Sequence, residues 1–443
     1  MKLSEICKAT LLANLCLSSL ALADTLYPQD FGGAPDNKTL NTVAIQTAID
    51  KCASSGGGEV RLSQGVWLSG PLSLKSNVVL NIMEGATLKA DNRNKDFVAA
   101  YIGKETQEKE AFLLANQVEN VIITGKGTID GSGDIYWWDE ALEVRKAVRS
   151  GNIALFEKLF PNVKLANGMP RPWLIEFNNV DGAMIHGINI RNSPMWNIVL
   201  RNSKNLGVED VNIKAPIESP NTDGIDIVSS QNVLIKKVEI YTGDDNIAVK
   251  SGVDQNGALP SADIIIEDSI MRAGHGVSIG SETANGIGKV EVRNLTFDAT
   301  ENGIRIKSAR DRGNNIGPLI VNDIKMQKVE TPILITCSYA GQSGAKGMSL
   351  VEPLENAERS ATTPYIKGAY INNLVATDAN IAALLSGLPE SLIKEVVFEN
   401  VKIDSKYGVQ ARYVDGTFNR VKINCQEGES LVKGPNVFIK ETR

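Results

Sequence analysis

The chain has 443 residues, with 46 Lys and Arg against 52 Asp and Glu, and a formal net charge of −6. Because nucleic-acid binding needs a surplus of cationic side chains for the phosphates, this balance argues against a nucleic acid as partner. Only two histidines occur, His186 and His275, which argues against a zinc or copper centre built from several imidazoles. Length alone suggests about three domains.

Residues 1–23 resemble a secretory signal peptide. Two lysines flank a short polar start, a mostly apolar stretch follows from Ala9 to Leu22, and Ala21-Leu22-Ala23 fits a signal-peptidase site. The apolar stretch of about 14 residues is short for a membrane span. We therefore expect cleavage near Ala23 and a secreted protein, extracellular or periplasmic, with no membrane attachment after cleavage.

The cysteines are too few for a disulfide scaffold. Cleavage near Ala23 leaves three of them, Cys52, Cys337 and Cys425. At most one disulfide can form among them, although a secreted protein meets an oxidising environment. We expect buried thiols at these positions.

One helix is indicated near the start of the mature chain. From Asn41 to Ser54 apolar residues recur at helical spacing, and Asn41 or Thr42 can cap the first turn. The apolar set is Ala44, Ile45, Ala48, Ile49 and Cys52. Gly56-Gly57-Gly58 then ends the helix, and without a following Lys-Ser/Thr these glycines do not make a phosphate loop.

After this helix, short β-rich segments recur about every 27 residues, often beginning with Asn. Each is followed by a second apolar pair, such as Ile188/Ile190 or Val211/Ile213. This period predicts an all-β solenoid, a parallel β-helix, with Asn ladders at its turns and the helix as its cap. A β-sandwich is the alternative for residues 200–340, but hairpin signals are not regularly placed. The repeat replaces three domains with a single one over residues 24–443.

Four polar motifs interrupt the apolar strands: Asn221-Thr222-Asp223, Gly243-Asp244-Asp245, Gly274-His275-Gly276 and Arg305-Ile306-Lys307. Asp223, Asp245 and His275 each stand two residues before an apolar pair, and Arg305 and Lys307 flank one member of the next pair. In that register the motifs stack on consecutive coils, about 4.8 Å apart. Asp223 and Asp245 then point the same way, Asp244 points elsewhere, and Arg305 and Lys307 face outward.

Three carboxylates in one place suit glycoside hydrolysis with inversion. Two can activate a water molecule while the third protonates the leaving oxygen, and crowding raises at least one carboxyl pKa. His275 could tune that acid, and Arg305 and Lys307 supply positive charge for an anionic substrate. Taken singly, each motif is an ordinary turn or solvated face. Their joint occurrence, in order and in register, indicates a site.

These four motifs resemble those of the polygalacturonases, family 28 of the glycoside hydrolases. The resemblance covers nearly the whole mature chain. It implies a right-handed parallel β-helix that hydrolyses α-1,4 bonds between galacturonic acids with inversion, without a metal or organic cofactor, and we expect a monomer.

The resemblance also implies a role for each motif residue. Asp244 is the expected general acid, and Asp223 and Asp245 are the expected water-activating pair. His275 supports the protonation of the acid, while Arg305 and Lys307 bind the galacturonate carboxylate. Three further residues complete the expected substrate-binding set: Tyr339, Asn221 and Lys250.

Two irregular stretches, residues 134–172 and 341–364, break the repeat. The first contains Tyr136-Trp137-Trp138 and a predicted helix from Leu142 to Phe160. Both can shape the ends of a cleft, and a closed end favours release of sugars from a chain terminus. We therefore expect chain-end (exo) action, with internal (endo) cleavage as the alternative.

Three other functions are alternatives. A rhamnogalacturonan hydrolase needs no clamp for a carboxylate, so the intact Gly-His-Gly and Arg-Ile-Lys motifs argue against it. A pectate lyase would need acidic calcium ligands and a basic residue that removes a proton. A non-catalytic polysaccharide-binding solenoid would keep the repeat but has no need for three neighbouring carboxylates.

Overall fold

Parallel β-strands make up most of the described chain, in a computed structural model. The described residues are 25–91, 96–159, 161, 169–339 and 352–442. The expected signal peptide and residues 341–351 of the second irregular stretch lie outside them. The chain divides into two compact units, residues 1–226 with 232–244, and residues 227–231 with 245–443. The single domain predicted from the sequence stays a prediction.

Short strands succeed one another along most of the described chain. The first strands are β1 (Thr25–Leu26), β2 (Asp36–Leu40), β3 (Gly58–Leu62), β4 (Gly65–Ser69), β5 (Leu72–Leu74), β6 (Val78–Ile82), β7 (Ala86–Ala90), β8 (Ala111–Asn116), β9 (Glu119–Gly125), β10 (Thr128–Asp130), β11 (Trp173–Asn178), β12 (Asp181–His186), β13 (Asn189–Arg191), β14 (Ile198–Arg201), β15 (Lys204–Glu209) and β16 (Asn212–Lys214). The later strands are β17 (Ile225–Val228), β18 (Gln231–Lys236), β19 (Glu239–Tyr241), β20 (Ile247–Lys250), β21 (Ala262–Glu267), β22 (Ile270–Arg272), β23 (Val277–Gly280), β24 (Val290–Asp298), β25 (Asn302–Lys307), β26 (Asn315–Ile316), β27 (Leu319–Gln327), β28 (Thr331–Thr336), β29 (Tyr365–Ser386), β30 (Ile393–Arg412), β31 (Val414–Lys433) and β32 (Val437–Thr442). The helices are α1 (Thr42–Ser54), α2 (Trp137–Arg149) and α3 (Ile153–Leu159), with short 3-10 turns at Pro28–Phe31 and Gly133–Ile135.

Strand pairing identifies the architecture. In the first unit β3 pairs with β6, β6 with β9, β9 with β12 and β12 with β15, always in parallel. In the second unit β23 pairs with β25 and β25 with β28 in the same way. A strand that pairs in parallel with its equivalent one coil later defines a solenoid. The predicted all-β fold, a right-handed parallel β-helix, is confirmed, and a β-sandwich is excluded.

Aliphatic ladders fill the interior of each unit. Ile190 pairs with Ile213 and Ile213 with Ile240 in the first unit, and all three are buried. In the second unit Ile304 continues the same kind of ladder, with Val277 on one side and Ile333 on the other. Each such side chain contributes about 1.5–3 kcal/mol by leaving water.

Asparagine ladders form at the turns, as predicted. The Asn120 side-chain nitrogen donates to the Asn77 oxygen at 3.0 Å, and Asn232 donates to Asn205 at 2.6 Å. All four residues have positive φ, between 55° and 62°. Asn tolerates this left-handed conformation better than most residues, and this explains why it begins so many coils.

The predicted N-terminal helix is confirmed as α1, which buries all five predicted apolar residues and packs against β3 and β5. The predicted side-chain cap, Asn41 or Thr42, is wrong, because no side-chain hydrogen bond caps the helix. The Asn41 amide donates to the carbonyl of Thr39 at 2.7 Å and accepts from the N–H of Ala34 at 2.7 Å. The Thr42 hydroxyl accepts from the N–H of Gly70 at 2.7 Å. Gly56 and Gly57, with φ of 97° and 117°, end the helix.

The described residues of the first irregular stretch form two helices instead of the single predicted helix over Leu142–Phe160, whose last residue lies outside the described chain. The first, α2, begins earlier, at Trp137, and Gly151 with φ of 94° separates it from α3. Residues 352–364 of the second irregular stretch contain neither helix nor strand. No helix among the described residues is long and apolar enough to cross a membrane.

The cysteines follow the prediction in two of three places. Cys52 and Cys337 are buried, and burial raises the pKa of the Cys337 thiol to about 12. Cys425 is only half-buried, so the expected burial is wrong there. It lies on β31, where alternate side chains face solvent.

Candidate active site

In the second unit Asp245 and His275 each precede a strand, and Arg305 and Lys307 lie on the next one, in the predicted register. Val277 of β23 pairs with Ile247 of β20 on one side and with Ile304 of β25 on the other. Ser278 therefore lies beside Arg305. Neighbouring rungs are about 4.8 Å apart, so side chains of adjacent coils can bond directly.

Asp245 lies at the centre of this part of the site. It is 1% exposed, and its Oδ1 accepts hydrogen bonds from the Ser278 hydroxyl at 3.0 Å and from Arg305. Its Oδ2 accepts one from Lys307 Nζ at 2.7 Å. Arg305 Nε also donates to Ser278 Oγ at 2.9 Å, which fixes the guanidinium. One buried carboxylate thus has two cationic partners.

The cations decide the protonation of Asp245. Burial alone would raise the pKa of this carboxyl, but Lys307, Arg305 and His275 hold it well below its ordinary value. Burial and Arg305 act to lower the pKa of Lys307, yet Asp245 and Tyr339 raise it overall. Asp245 therefore stays an anion that can hold a water molecule, and it cannot serve as a proton donor.

Arg305 and Lys307 were expected to face outward, and they alternate along their strand with Ile304 and Ile306 of the interior ladders. They are nevertheless only 3% and 6% exposed, because both contact Asp245. A buried anion needs paired cations, and this requirement explains their burial.

His275 lies beside Asp245 with 12% of its side chain exposed. Its Nδ1 is 3.7 Å from Asp245 Oδ1, and its Nε2 is 3.3 Å from Glu301 Oε2. Sequence reasoning missed Glu301, although it stands one coil after His275 and its N–H donates to the carbonyl of Gly274. The one-coil spacing was the signal that could have found it.

Tyr339 and Lys250 also belong to the second unit. Lys307 Nζ is 5.5 Å from the centre of the Tyr339 ring, so this tyrosine adjoins the ion cluster. Lys250 is buried, and its Nζ is 3.8 Å from Glu282 Oε2, another buried residue that sequence reasoning missed.

Asp223 and Asp244 belong to the first unit, where they are 3% and 7% exposed. The carbonyl of Asp223 accepts from both the N–H and the side chain of Asn197, each at 2.9 Å. The Thr222 hydroxyl accepts from the N–H of Gly243 at 3.2 Å. The Asn-Thr-Asp motif is therefore bonded to the start of the Gly-Asp-Asp motif. The shared register predicted for Asp223 and Asp245 stays a prediction.

Arg171 stabilises the turn that contains the Asn-Thr-Asp motif through hydrogen bonds to backbone carbonyls. It is fully buried and donates to the carbonyls of Met169, Pro194 and Pro220 at 2.6–2.9 Å. Burial, and then the neighbouring Arg145, lower the pKa of Arg171 to about 9. Sequence reasoning missed this residue; its place between two prolines, directly before the apolar Trp173-Leu174-Ile175, was the available signal.

Comparison with known proteins identifies relatives of this chain. A family model described as "Glycosyl hydrolases family 28" matches residues 52–356, a range that contains all four motifs. A probable polygalacturonase of Vitis vinifera is 30% identical over 84% of this chain and 73% of its own. An endo-polygalacturonase of Pectobacterium parmentieri is 34% identical over 69% of this chain and 73% of its own.

A solved structure extends the similarity to the fold. A hyperthermoactive exopolygalacturonase from Thermotoga maritima superposes with a TM-score of 0.75 at 25% identity. The match covers 94% of this chain and 96% of that one. The similar proteins thus include both endo- and exo-acting enzymes.

Proposed function

The chain belongs to family 28 of the glycosyl hydrolases, and we propose that it is a polygalacturonase that hydrolyses α-1,4 bonds of galacturonan with inversion. The observation that carries the proposal is the buried Asp245 carboxylate clamped by Arg305 and Lys307. A binding solenoid has no use for a buried, permanently charged cluster, which is costly to form.

Each carboxylate has one role in the proposed mechanism. Asp244 protonates the leaving oxygen, while Asp223 and Asp245 orient the water molecule and assist its deprotonation. The low pKa of Asp245 supports its role on the water side, since a permanent anion cannot be the acid. His275 helps to keep the acid protonated.

Substrate binding falls to the cations and their neighbours. Arg305 and Lys307 bind a galacturonate carboxylate while they keep Asp245 ionised, and Tyr339, Asn221 and Lys250 contact the sugars. The contact of Tyr339 with Lys307 supports its place in this set. No metal or organic cofactor takes part, and the protein works as a secreted monomer cleaved near Ala23.

The proposed mode is action at a chain end. The insert that contains α2 supports it, because Arg145 of that helix bonds Asn221 of the first motif at 3.0 Å and so brings extra structure to the site. Internal cleavage is the second candidate, favoured by the similarity to an endo-polygalacturonase.

The test is hydrolysis of polygalacturonate with and without a calcium chelator, followed by product sizing. We expect activity that survives the chelator, no ultraviolet absorbance from unsaturated uronides, and monomers or dimers as early products. An early ladder of oligomers would favour internal cleavage instead. Activity abolished by the chelator, or activity only on rhamnogalacturonan, would overturn the proposal. The Asp245→Asn variant is the control for contaminating activity.

A further inference from the structure

Helix α2 is fixed against the rest of the first unit along one face. Trp138 Nε1 donates to the carbonyl of Ser193 at 3.0 Å, and Ala141 and Val144 pack in a cluster with Phe156 and Met169. Positions 138, 141 and 145 follow one another at three- and four-residue steps, so they share this face. The next inward residue along it is Arg145.

Arg145 contacts the first motif directly. Its Nη2 donates to Asn221 Oδ1 at 3.0 Å, and its side chain is half-buried. Within the described part of the chain this is the only hydrogen bond of the guanidinium, and no carboxylate forms an ion pair with it. An arginine has five N–H donors in a planar fork, so most of them remain available.

The surroundings of Arg145 favour an added anion. Burial and the nearby Arg149 lower the pKa of Arg145, and Asp244 only partly opposes them. Arg145 and Arg171 also repel each other. A half-buried guanidinium that has a cationic neighbour and no bonded carboxylate is stabilised when an anionic oxygen binds it.

We propose that Arg145 binds a galacturonate carboxylate of the substrate, a different one from that assigned to Arg305 and Lys307. The inference rests on the proposed function and adds a specificity-determining residue from the insert. Galacturonan carries one carboxylate on every sugar, and the fork of a guanidinium matches a carboxylate in two-point contact. Asn221 then acts as the brace that orients this fork.

The experiment uses trigalacturonate and three singly reduced trimers, each with one carboxylate converted to a primary alcohol. kcat and KM are measured for the full-length wild type, Arg145→Gln, Arg145→Lys and the control Lys146→Gln, which removes an exposed charge from the next position of α2. Loss of a charged hydrogen bond predicts a fall in kcat/KM of about 10- to 100-fold for Arg145→Gln on the acidic trimer. On the reduced trimer that lacks the carboxylate bound by Arg145, the same substitution should lower kcat/KM by less than about twofold.

The remaining outcomes are equally informative. Arg145→Lys should recover part of the loss, because it keeps the charge without the fork, and Lys146→Gln should stay near wild type on all four substrates. Equal losses for Arg145→Gln on all four trimers, or no loss, overturn the inference while the proposed function stands. A wild type that hydrolyses none of them refutes both together.

Discussion

Each unit contains a buried ion cluster, and the two clusters differ in their ratio of carboxyl groups to cations. In the second unit Asp245 has two cations, Arg305 and Lys307. In the first unit Glu110 and Glu176 share one cation, Arg201, at 3.0 and 2.9 Å. Arg201 also lies over the ring of Trp173, 5.2 Å from its centre.

The number of cations relative to carboxyl groups determines whether each cluster holds a proton. Asp245 has a pKa well below its ordinary value because its cations outweigh the effect of burial. Burial raises the pKa of Glu110, and it raises that of Glu176 well above its ordinary value, since Arg201 cannot compensate both carboxyls. Total burial is therefore compatible with a permanent anion or with a held proton, and the cation count decides which one forms.

The largest expected effect is on turnover, from Asp245→Asn. The substitution removes the anion of the two-cation cluster but keeps its shape, so kcat should fall by about 10³-fold or more, as when one member of a catalytic set is lost. Kinetics on polygalacturonate and circular dichroism together check this. The matched control is Asp298→Asn, which affects a surface pair with Arg272 at 3.0 Å in the same unit. Undiminished turnover in Asp245→Asn would remove Asp245 from the mechanism.

The next effect is on stability, from Arg201→Met. It leaves two buried carboxyls without their cation and should cost about 3–5 kcal/mol of unfolding free energy. Urea unfolding measures it, with Arg272→Met as the exposed-pair control, for which about 0–1 kcal/mol is expected. A similar cost for both variants would mean that the Glu110–Glu176–Arg201 cluster does not depend on its cation.

A smaller effect is expected in the pH dependence of stability, from Glu176→Gln. In the wild type the folded cluster keeps a proton that the unfolded chain releases above pH 4.5, the ordinary glutamate value. Its stability should therefore decline as the pH rises above that value. The variant has no such proton to lose, so its melting temperature should fall less between acid and neutral pH. An identical decline in both proteins would contradict the raised pKa.

Asp245 should behave in the opposite sense. The pKa of Asp245 is lowered in the folded protein from the ordinary value of 3.8. Its contribution to stability is therefore complete above pH 3.8 and is lost only as the pH falls through the folded pKa. Asp245→Asn should therefore show a melting temperature that depends less on pH in the acid range. A wild type that loses this stability already on approach to neutral pH would contradict the lowered pKa.

The smallest effect is expected from Glu301→Gln, which weakens the contact at 3.3 Å with His275 Nε2. Glu301 is one-third exposed, so water screens the pair, and kcat should fall by only about three- to tenfold. The control is Glu330→Gln, one coil further, since Glu330 is exposed. Equal kinetics in the two variants would leave Glu301 without a part in positioning His275.

The fold could be predicted from the sequence because each coil repeats a local pattern of apolar pairs. The spacing of the apolar pairs predicted the register that joins Val277 to Ile304. The same register predicted that Asp245, His275, Arg305 and Lys307 belong together, and the structure brings these four into contact.

What the sequence could not provide are partners that depend on side-chain direction. Arg171 and Arg145 come from the insert, which has no repeat to align them with the motifs. Glu301 stands one coil after His275, which is a signal in the sequence, but an acidic residue is ordinary at a turn, so the contact itself follows from the direction of the His275 side chain. The orientation of Arg305 and Lys307 toward Asp245 follows from the cost of burying an anion, which no spacing rule expresses.

The most direct test of the proposed function is the configuration of the first product, followed by proton magnetic resonance during hydrolysis of polygalacturonate. Inversion at an α-linked sugar predicts that the β-anomer appears first and the α-anomer only later, by mutarotation. The signal should be absent with Asp245→Asn. An α-anomer released first, or an unsaturated product, would contradict the account.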